Sequence, residues 1–523
     1  MNRLVAALRR RSHAIALGVI VLASLAYRLH ASRACSLWLD EDYTHTEVVR
    51  SWPAVLAGPE PVHPPLFFVL TKLALVPFGY SETGLRAVSL GFGCVLLVAV
   101  YWLCLELGLA AVRALVVVAL LAITPFFIGH AIEARQYALY PALGTLALVF
   151  VLRLLREPNR LRHGVGFAAS AAAMAATHYF GVAYACALLA VLVWGLFARR
   201  RELDHAPRRV LAAGLVVTAL LGVLALLLAH AVALARFYGN HKAGRGSEPW
   251  PVLLDALIAK FALVRGHTGE RLELAFAVVG LALVSRSLRG VARTVLLPLT
   301  FVPCALSLCI SSGHFVAPRY LAPSWVLYHV GACVALFALA ERVRALLARV
   351  TPKVAPALAW LFLLVPVVPR LAEYPLEFGA GEDDYRGLER YFMAHLAPKT
   401  ALVTFPGHAG IRMMEFEYPV NAPPIELEHF HGRSGIERYL IAEIHLPASR
   451  RAEFDHLIEK DFGLSAQAWR DTPFIDLPGT EYQRGVRARL LAWDGSRAHV
   501  DDRKREHATH HRDTRGARSD SDD

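Results

Sequence analysis

The sequence predicts an α-helical polytopic membrane protein with about 11 transmembrane helices and a small C-terminal α/β domain outside the membrane. Three observations predict this fold class: long apolar segments that recur along the chain, arginines that cluster between them, and mixed polar sequence after residue 370. Of the 523 residues, 56% are hydrophobic and 19% are charged, and the mean hydropathy is +0.42. Since about 20 apolar residues in a helix cross the hydrocarbon core of a bilayer, these segments are long enough to span it.

The first apolar segment, near residues 13–30, follows the basic N-terminus "MNRLVAALRRR". A signal peptide has a similar pattern, but this run is long, and Arg33 before Cys35 spoils a lipoprotein-like cleavage site. We therefore interpret the segment as an uncleaved transmembrane helix. The remaining predicted helices lie near residues 84–105, 112–130, 137–152, 164–177, 180–197, 210–234, 272–285, 294–312, 320–340 and 354–370.

Positively charged loops predict which side of the membrane each segment faces. With the N-terminus in the cytoplasm, the inner loops, such as "ARRRELDHAPRR", are rich in arginine, whereas the outer loops carry fewer cations. This agreement requires that residues 63–80 do not cross the membrane. Two prolines and Lys72 in this segment favour an interfacial or re-entrant helix, which would lie within an outer loop of residues 31–83. The net charge of +12 therefore reflects topology and does not indicate a nucleic-acid partner.

Residues after about 371 fall on the outer face and are predicted to form a separate domain. The strand-like stretches "TALVTF", "RYLIAEIH" and "VRARLLAW" are interspersed with helix-like stretches, namely residues 385–396 and "SRRAEFDHLIEKDFG". The final stretch is polar and charged, and we expect it to be disordered. The predicted domains are a transmembrane domain at 1–370, an extracytoplasmic α/β domain at 371–495 and a disordered polar tail at 496–523.

Five polar elements lie where predicted spans emerge on the outer side. Each also has a plain structural interpretation: a solvated acidic loop, a helix start, a local ion pair, a buried histidine and a snorkelling arginine. Because all five lie on one face, while the inner loops carry only topology-setting arginines, we favour a common chemical role. The elements are Asp40 with Glu41 and Asp42, His63, Glu133 with Arg135, His178 with Tyr179, and Arg319 with Tyr320.

Carboxylates, histidine and arginine at one interface suit a reaction between a lipid phosphate and an acceptor. Desolvation makes a carboxylate more basic, so an acid at the membrane surface can serve as a general base that activates a hydroxyl. Arginine binds two phosphate oxygens at once through its planar fork. No glycine-rich nucleotide-binding motif is apparent in the sequence, which is consistent with a lipid-linked donor.

The ordered motifs "LWLDEDYT", "HPPLFF", "IEARQYAL", "THYFG" and "PRYL" resemble those of membrane glycosyltransferases of the C-type fold. The resemblance covers roughly residues 10–340 and is to the bacterial relatives of dolichyl-phosphate-mannose protein mannosyltransferases and of the lipid A aminoarabinose transferase. It implies an inverting enzyme that moves a sugar from a polyprenyl-phosphate carrier to an acceptor hydroxyl. It also implies a bacterial inner-membrane location with the active site on the extracytoplasmic side, which is the side where the count of predicted spans places the C-terminal domain.

The resemblance also implies roles for individual residues. The catalytic base corresponds to Asp40, with Glu41 beside it, and the second acid corresponds to Glu133. The other residues implied are the donor-phosphate ligands His63, Arg135, Arg319 and Tyr320, and the acceptor or pocket residues Asp42, His178 and Tyr179.

Two positions depart from the family pattern. Relatives often have a small residue in place of Asp42, so the base could be Asp42 instead of Asp40. His130 stands near a position where many relatives have tyrosine or serine, which leaves the geometry around Glu133 open.

The expected partners are a polyprenyl-phosphate-linked sugar, a lipid, glycan or protein acceptor, and membrane lipids, with no nucleic acid. The sequence indicates no particular cofactor. A divalent metal could bridge the acids and the phosphate, although no sharp ligand spacing indicates one. The alternative functions are a lipid-linked-glycan polymerase or ligase and a non-enzymatic transporter or flippase. A transporter predicts ionisable residues near the bilayer midplane and internal repeats, and the sequence shows neither clearly.

Overall fold

The computed structural model describes residues 2–34, 37, 39–57, 63–158, 160–198, 267–287, 318–349, 400–405, 425–427, 436–444, 450–472, 486–493 and 498–500. The chain divides into two compact units. The first comprises Met1–Arg33 and Thr44–Leu376, and the second comprises Ala34–Tyr43 and Glu377–Asp523. All the strands that the structure describes belong to the second unit.

The described part of the first unit is helical because its long apolar stretches can satisfy their backbone N–H and C=O groups only within the segment when lipid surrounds them. One helix, α2, begins in the second unit and continues into the first. The helices are α1 Asn2–Ala34, α2 Leu39–Val49, α3 Trp52–Ala57, α4 Leu66–Phe78, α5 Glu82–Glu106, α6 Ala111–Ala122, α7 Pro125–Ile132, α8 Leu139–Arg156, α9 Leu161–Ala175, α10 Tyr179–Ala198, α11 His267–Ser287 and α12 Ala322–Leu347, with a 3-10 turn at Pro318–Leu321.

Three helices in the described ranges are long and apolar enough to cross a membrane: Arg11–Arg33 within α1, α5 and α8. Together, α6 and α7 also meet this description, with a bend of 62° between them, and they raise the number to four. The bend occurs at Pro125, the first residue of α7, which has no N–H to donate to the preceding turn.

The predicted spans that fall within the described residues are helical. Most correspond to one helix each, but the segment near 112–130 is divided between α6 and α7, a break that its continuous apolar sequence does not reveal. The segments near 210–234, 294–312 and 354–370 lie outside the described residues. The total of about 11 helices therefore stays a prediction.

Glycines allow α11 and α12 to pack closely. A Cβ added at Gly280 of α11 would collide with the backbone carbonyl of Gly331 in α12, and a Cβ at Gly331 would meet the carbonyl of Ala277. Small residues at such contacts let two backbones approach where lipid supplies no hydrophobic drive for association.

The helix that follows Pro64 and Pro65 is short. With 13 residues, α4 is about 20 Å long at 1.5 Å per residue, which is less than a hydrocarbon core of about 30 Å. This length agrees with the expectation that residues 63–80 do not cross the membrane. The first amide of α4 has a partner outside the helix, because Leu66 N donates to Ala176 O at 3.1 Å.

Lys72 of α4 fixes the C-terminal end of α2. Its Nζ donates to the carbonyl oxygens of Val48 and Arg50, at 2.6 and 2.7 Å, and lies 5.2 Å from the centre of the Trp52 ring. A cation is favourable at this end of a helix because the helix dipole places partial negative charge there. The lysine that interrupts an apolar helix therefore joins α4 to α2.

The second unit contains a five-stranded sheet in the order β2-β1-β3-β4-β5. Strand β1 pairs in parallel with β2 and β3, whereas β3 with β4 and β4 with β5 are antiparallel pairs. The elements are β1 Thr400–Phe405, β2 Ile425–Glu426, β3 Arg438–Ile444, α13 Arg451–Phe462, α14 Ala466–Asp471, β4 Val486–Trp493 and β5 Ala498–Val500.

The core of this unit lies between the sheet and its two helices. Apolar residues of β1 and β3 contact the apolar face of α13, and Trp469 of α14 is fully buried against them. Removal of this apolar surface from water is the main favourable term for folding. The core residues include Val403, Phe405, Leu427, Tyr439, Ile441, Phe454, Ile458, Phe462, Trp469 and Leu491.

One buried carboxylate joins the sheet to the helices. Glu443 of β3 pairs with Arg451 at 2.8 Å, and its Oε1 accepts from Trp469 Nε1 at 3.0 Å. Arg489 of β4 lies 3.8 Å from the same carboxylate and donates to Thr472 O at 2.7 Å. These partners compensate the desolvation of Glu443, which a lone buried charge would not tolerate.

The strand and helix predictions that fall on described residues of this region are confirmed. "TALVTF" is β1, "RYLIAEIH" contains β3, "SRRAEFDHLIEKDFG" contains α13, and "VRARLLAW" is β4. The predicted helix at 385–396 lies outside the described residues. Strand β5 falls within the stretch 496–523 that was expected to be disordered, and its backbone pairs with β4, a long-range contact that polar composition does not reveal.

We expect Lys72→Met to loosen the end of α2, because the variant loses two charge-assisted hydrogen bonds, each worth about 1.5–3 kcal/mol. They go to the carbonyl of Val48 in the last turn of α2 and to that of Arg50 just after it. Amide hydrogen exchange in α2 should accelerate roughly tenfold or more. Lys72→Arg, which keeps the charge and the donors, serves as the control. Equal exchange in the wild type and the methionine variant would contradict this role for Lys72.

Candidate functional site

Arg135 is the buried cation around which other polar side chains gather. Its side chain is 3% exposed. Its Nη2 lies 3.0 Å from His63 Nε2, its Nη1 lies 3.4 Å from Thr44 Oγ1, and its backbone carbonyl accepts from Ser89 Oγ at 2.9 Å. These contacts hold the guanidinium in place, and none of them removes its positive charge.

Three separate parts of the first unit supply these contacts. Arg135 lies in the loop between α7 and α8, His63 precedes α4, and Thr44 and Ser89 belong to α2 and α5. The prolines after His63 and the hydrogen bond from Leu66 N to Ala176 O fix the start of α4. The "HPPLFF" motif is therefore bonded through its backbone to the residue that precedes the "THYFG" motif.

The protonation of His63 follows from its partners. Because arginine can only donate, Nε2 of His63 is an acceptor, and the proton of the neutral ring is on Nδ1. Nδ1 lies 3.1 Å from the side-chain amide of Gln136. With the amide oxygen toward the ring both groups are satisfied, whereas with the nitrogen there two donors would face each other and Gln136 Oε1 would have no partner among the described residues.

The surroundings of His63 favour this neutral form. Burial, followed by the positive charge of Arg135, lowers the pKa of His63 well below 6.5. The sequence suggested that this imidazole could donate to a phosphate oxygen. In the structure Nε2 of His63 faces Arg135 and Nδ1 faces Gln136, and the contact with a phosphate stays a prediction.

Tyr137 is the common contact of two arginines that are distant in the sequence. Its ring centre lies 5.9 Å from Cζ of Arg135 and 5.0 Å from Cζ of Arg319, which is in the turn before α12. The ring is almost completely buried. Cation–π attraction to one ring holds both guanidinium groups in the same region despite their mutual repulsion.

A group of aromatic rings supports the arginines from the bundle side. The His178 ring stacks on Tyr140 of α8 at a centroid distance of 5.0 Å and lies 5.0 Å from the ring of Tyr320. Phe180 of α10 stacks on Tyr320 at 5.3 Å. Since these rings come from α8, α10 and the turns before α10 and α12, they connect four parts of the bundle beside Tyr137.

His178 is neutral in this environment. Its Nδ1 accepts a hydrogen bond from Phe180 N at 3.2 Å, so the proton of the neutral ring is on Nε2. Burial, followed by the charges of Arg135 and Arg319, lowers the pKa of His178 from 6.5 to about 3. The ring therefore serves as a polar aromatic support at ordinary pH.

Glu133 has a neighbour that the sequence did not assign to it. His130, one turn earlier at the end of α7, places its Nδ1 at 3.3 Å from Glu133 Oε2. The position at which this chain departs from the family pattern thus contacts the proposed second acid. Arg135, two residues further on, turns its side chain toward His63.

The acids that follow α1 in the sequence belong to a helix. Asp40 and Glu41 lie in the first turn of α2, where carboxylates are favourable because they face the positive end of the helix dipole. Asp40 is partly exposed and Glu41 is fully buried. Within α2, both precede Thr44 by one helical turn. The side chain of Asp42 lies outside the described residues.

Of the residues predicted from the sequence, the structure brings together His63, Arg135, His178, Arg319 and Tyr320. Tyr179 begins α10 and is partly exposed. Sequence reasoning missed four residues of the same region, two of which stand in the quoted "IEARQYAL" motif beside Arg135. They are Thr44, Gln136, Tyr137 and Tyr140.

Two further buried arginines were also missed because they lie inside predicted spans. Arg28 of α1 is fully buried, and a Cβ added at Gly93 would lie 2.7 Å from its Nη1. Arg86 of α5 donates to the carbonyl of Ser32 and pairs with Glu82 at 3.9 Å. An arginine within an apolar span is a signal that could have indicated both.

The arrangement can bind a negatively charged group. Arg135 and Arg319 provide charge and forked donors, while His63, Gln136 and the aromatic rings fix their positions. Within the residues that the structure describes, no group of three or more His, Cys, Asp or Glu side chains could hold a metal ion, so no metal ligand is assigned.

Comparisons with known proteins concern the fold. No protein-family model and no curated protein matches the sequence. The structure is similar to that of ArnT from Cupriavidus metallidurans bound to undecaprenyl phosphate, with a TM-score of 0.52, 14% identity, and coverage of 92% of this chain and 98% of that one.

The structure is also similar to that of the archaeal oligosaccharyltransferase AglB from Archaeoglobus fulgidus in complex with an inhibitory peptide and a dolichol-phosphate. The TM-score is 0.50 at 13% identity, with 86% of this chain and 71% of that chain covered. Both proteins have the C-type glycosyltransferase fold, so the resemblance seen in the sequence motifs is confirmed at the level of the fold. Together with the apolar helices, this fold identifies a membrane protein.

The low pKa of His178 predicts acid sensitivity. The pKa of His178 is 6.5 in the unfolded chain and about 3 in the folded chain. The contribution of the neutral ring to the free energy of unfolding is therefore complete above pH 6.5 and falls as the pH decreases from 6.5 toward 3. The loss is about 1.4 kcal/mol per pH unit. We expect His178→Asn, which keeps an acceptor but does not titrate, to show a smaller fall in melting temperature between pH 7 and pH 5 than the wild type. An equal fall in both proteins would contradict the prediction.

Proposed function

Because the chain has the C-type glycosyltransferase fold, we propose that it is an inverting glycosyltransferase that moves a sugar from a polyprenyl-phosphate carrier to an acceptor hydroxyl. The neighbours support a phosphate-lipid ligand, since one holds undecaprenyl phosphate and the other a dolichol-phosphate. We place the reaction on the extracytoplasmic side of a bacterial inner membrane, on the basis of the arginine distribution among the loops.

The observation that carries this proposal is the meeting of Arg135 and Arg319 at the ring of Tyr137. A sugar-phosphate-lipid donor is a phosphodiester with one negative charge, and the departing lipid phosphate is a monoester that develops a second. Preorganised cations aimed at this group stabilise the transition state more than the ground state, which is the condition for faster chemistry.

We assign the base to Asp40, in the first turn of α2. The acceptor oxygen attacks the anomeric carbon from the face opposite the phosphate, and its proton passes to the Asp40 carboxylate. The bond between the anomeric carbon and the phosphate oxygen breaks, and its electron pair goes to the lipid phosphate beside Arg135 and Arg319. A single displacement of this kind inverts the configuration of the sugar. The chain's own part in the reaction is to position the groups and to provide charge.

His63 is a positioning residue in this mechanism. Its Nε2 accepts from Arg135 Nη2 at 3.0 Å, and Gln136 holds the other nitrogen of the ring. Because His63 and Gln136 are both neutral, they orient the Arg135 guanidinium without neutralising its positive charge. Tyr320 and His178 support Arg319 and Tyr137 through ring contacts. Asp42 and Tyr179 stay proposals as acceptor or pocket residues, and Glu41 and Glu133 stay proposals as catalytic acids.

The same fold is found in an oligosaccharyltransferase, so a polymerase or ligase that moves an oligosaccharide is the alternative that a specific observation favours. The two functions differ in the size of the group on the lipid. The mass of the lipid-linked sugar that accumulates without the protein distinguishes them.

We expect Arg135→Gln and Arg319→Gln each to slow consumption of the lipid-linked sugar by about 10²–10³-fold, since each removes one charged donor from the leaving phosphate. The rate is measured in membrane vesicles by mass spectrometry of extracted polyprenyl-phosphate sugars. Arg113→Gln is the matched control, because Arg113 is an exposed arginine of α6 that pairs with Glu341. A similar small effect in all three variants would remove the support for a phosphate site at Tyr137.

The assignment of the base is tested in cells that carry the wild type, a deletion, Asp40→Asn or Asp42→Asn at equal expression. We expect one polyprenyl-phosphate sugar to accumulate in the deletion and in Asp40→Asn, because the amide cannot accept the acceptor's proton. Mass spectrometry of the lipid extract identifies the sugar at the same time.

Other outcomes of this experiment have distinct meanings. Accumulation in the deletion and in Asp42→Asn alone would retain the transferase and move the base to Asp42. An unchanged lipid pool in every strain would contradict transfer from such a donor and favour the transporter alternative.

A further inference from the structure

A second polar site lies at the C-terminal ends of α5 and α8, whereas Arg135 lies near their N-terminal ends. A cavity of about 540 Å³ opens where α5 and α8 end and α9 begins. Arginine is its most frequent lining residue. The lining side chains are Glu106, Phe150, Arg153, Arg156, Glu157, Arg162 and His163.

This cavity lies far from the site at Arg135, as the length of α5 between them shows. Ser89 contacts Arg135, and Glu106 lies 17 residues further along the same helix, which is about 26 Å at 1.5 Å per residue. Since the hydrocarbon core of a bilayer is about 30 Å thick, the cavity lies near the other membrane surface. It therefore belongs to a different site from the one used in the proposed transfer.

The charges in the cavity leave room for one anion. A single carboxylate, Glu106, pairs with both Arg153 at 2.8 Å and Arg156 at 2.9 Å, while Glu157 pairs at 3.3 Å with Arg160, which does not line the cavity. Because Glu157 is paired with Arg160, Glu106 alone offsets the three lining arginines, and the cavity keeps an excess of positive charge when histidine is neutral. A phosphodiester, which carries a negative charge, would offset part of this excess.

His163 supplies a buried donor for such a group. The residue is 5% exposed, and its Nε2 accepts from Arg162 Nε at 3.4 Å, so the proton of the neutral ring is on Nδ1. Nδ1 is buried and has no hydrogen-bond partner among the residues that the structure describes. An oxygen acceptor in the cavity would satisfy it, as buried donors require.

Exposed apolar side chains lie on two of the helices that supply the lining residues. Leu161 and Val165 of α9 are 61% and 59% exposed, and Trp102 of α5 is 39% exposed and contacts the Arg153 guanidinium with a ring-centre distance of 5.7 Å. Tryptophan is typical of the membrane–water interface, where acyl chains meet headgroups. An anion that binds here therefore has lipid chains beside it.

We propose that this cavity binds the phosphodiester headgroup of an anionic membrane phospholipid. Arg156 and Arg162, which are both exposed, contact the phosphate, His163 Nδ1–H donates to one of its oxygens, and the acyl chains lie along α5 and α9. Basic pockets between transmembrane helices are suited to such headgroups. The site is independent of the donor chemistry and would exist whatever sugar the protein transfers.

The test uses the purified full-length chain in nanodiscs of phosphatidylcholine with phosphatidylglycerol, followed by native mass spectrometry of the lipids that stay bound. We expect the wild type to retain one phosphatidylglycerol and Arg156→Gln/Arg162→Gln to retain it about 30-fold more weakly, since each arginine near an anionic headgroup favours binding. Arg160→Gln, a neighbouring exposed arginine outside the cavity, is the matched control and should bind as the wild type does.

Three results would overturn the proposal. One is equal retention by the wild type and the glutamine double variant, and another is equal retention of phosphatidylcholine. The third is full displacement of phosphatidylglycerol by inorganic phosphate, which would make the ligand a free anion. Arg156→Lys/Arg162→Lys keeps both charges and checks the fold, because it should retain the lipid if charge drives binding.

Discussion

The burial of a guanidinium group beside apolar helices is the constraint on which the rest of the site depends. A charge removed from water has a high free energy unless fixed polar groups replace the lost hydration, and here His63, Thr44 and the Tyr137 ring surround Arg135. Each of these partners is itself held: His63 by Gln136 and the prolines, Thr44 by α2, and Tyr137 by burial in the loop before α8. One arrangement therefore positions this positive charge. It includes the short helix α4, the backbone hydrogen bond from Leu66 to Ala176 and the contact of Lys72 with α2.

Much of the architecture followed from hydrophobicity and charge. The apolar segments predicted the helices, and the arginines between them predicted the loops. The stretches "TALVTF" and "VRARLLAW" predicted two strands. Such features can be predicted because segment length, charge and residue type are local properties of the sequence. The division between α6 and α7 and the pairing of β5 with β4 depend on contacts distant in sequence. Composition does not encode such contacts, and for that reason the polar stretch after 496 was expected to be disordered throughout.

The candidate site was predictable as a list of charged residues but not as a set of partners. Arg135, Arg319, His63 and His178 stood out because polar residues at the ends of apolar segments are conspicuous. Tyr137 and Gln136 did not stand out, since a tyrosine in an apolar stretch has the appearance of core packing. The pairing of Glu133 with His130 follows from the end of α7, which the sequence alone could not place to within one turn.

The neutral state of His63 and His178 determines how the charge of the candidate site responds to pH. Arginine keeps its charge at any pH that a cell meets, and His178 takes up a proton only near a pH of about 3. With the arginines charged and both imidazoles neutral, the charge of this group of side chains stays the same between about pH 5 and pH 8. In the proposed function, the attraction for a lipid phosphate would then follow the ionisation of the phosphate and not that of the protein.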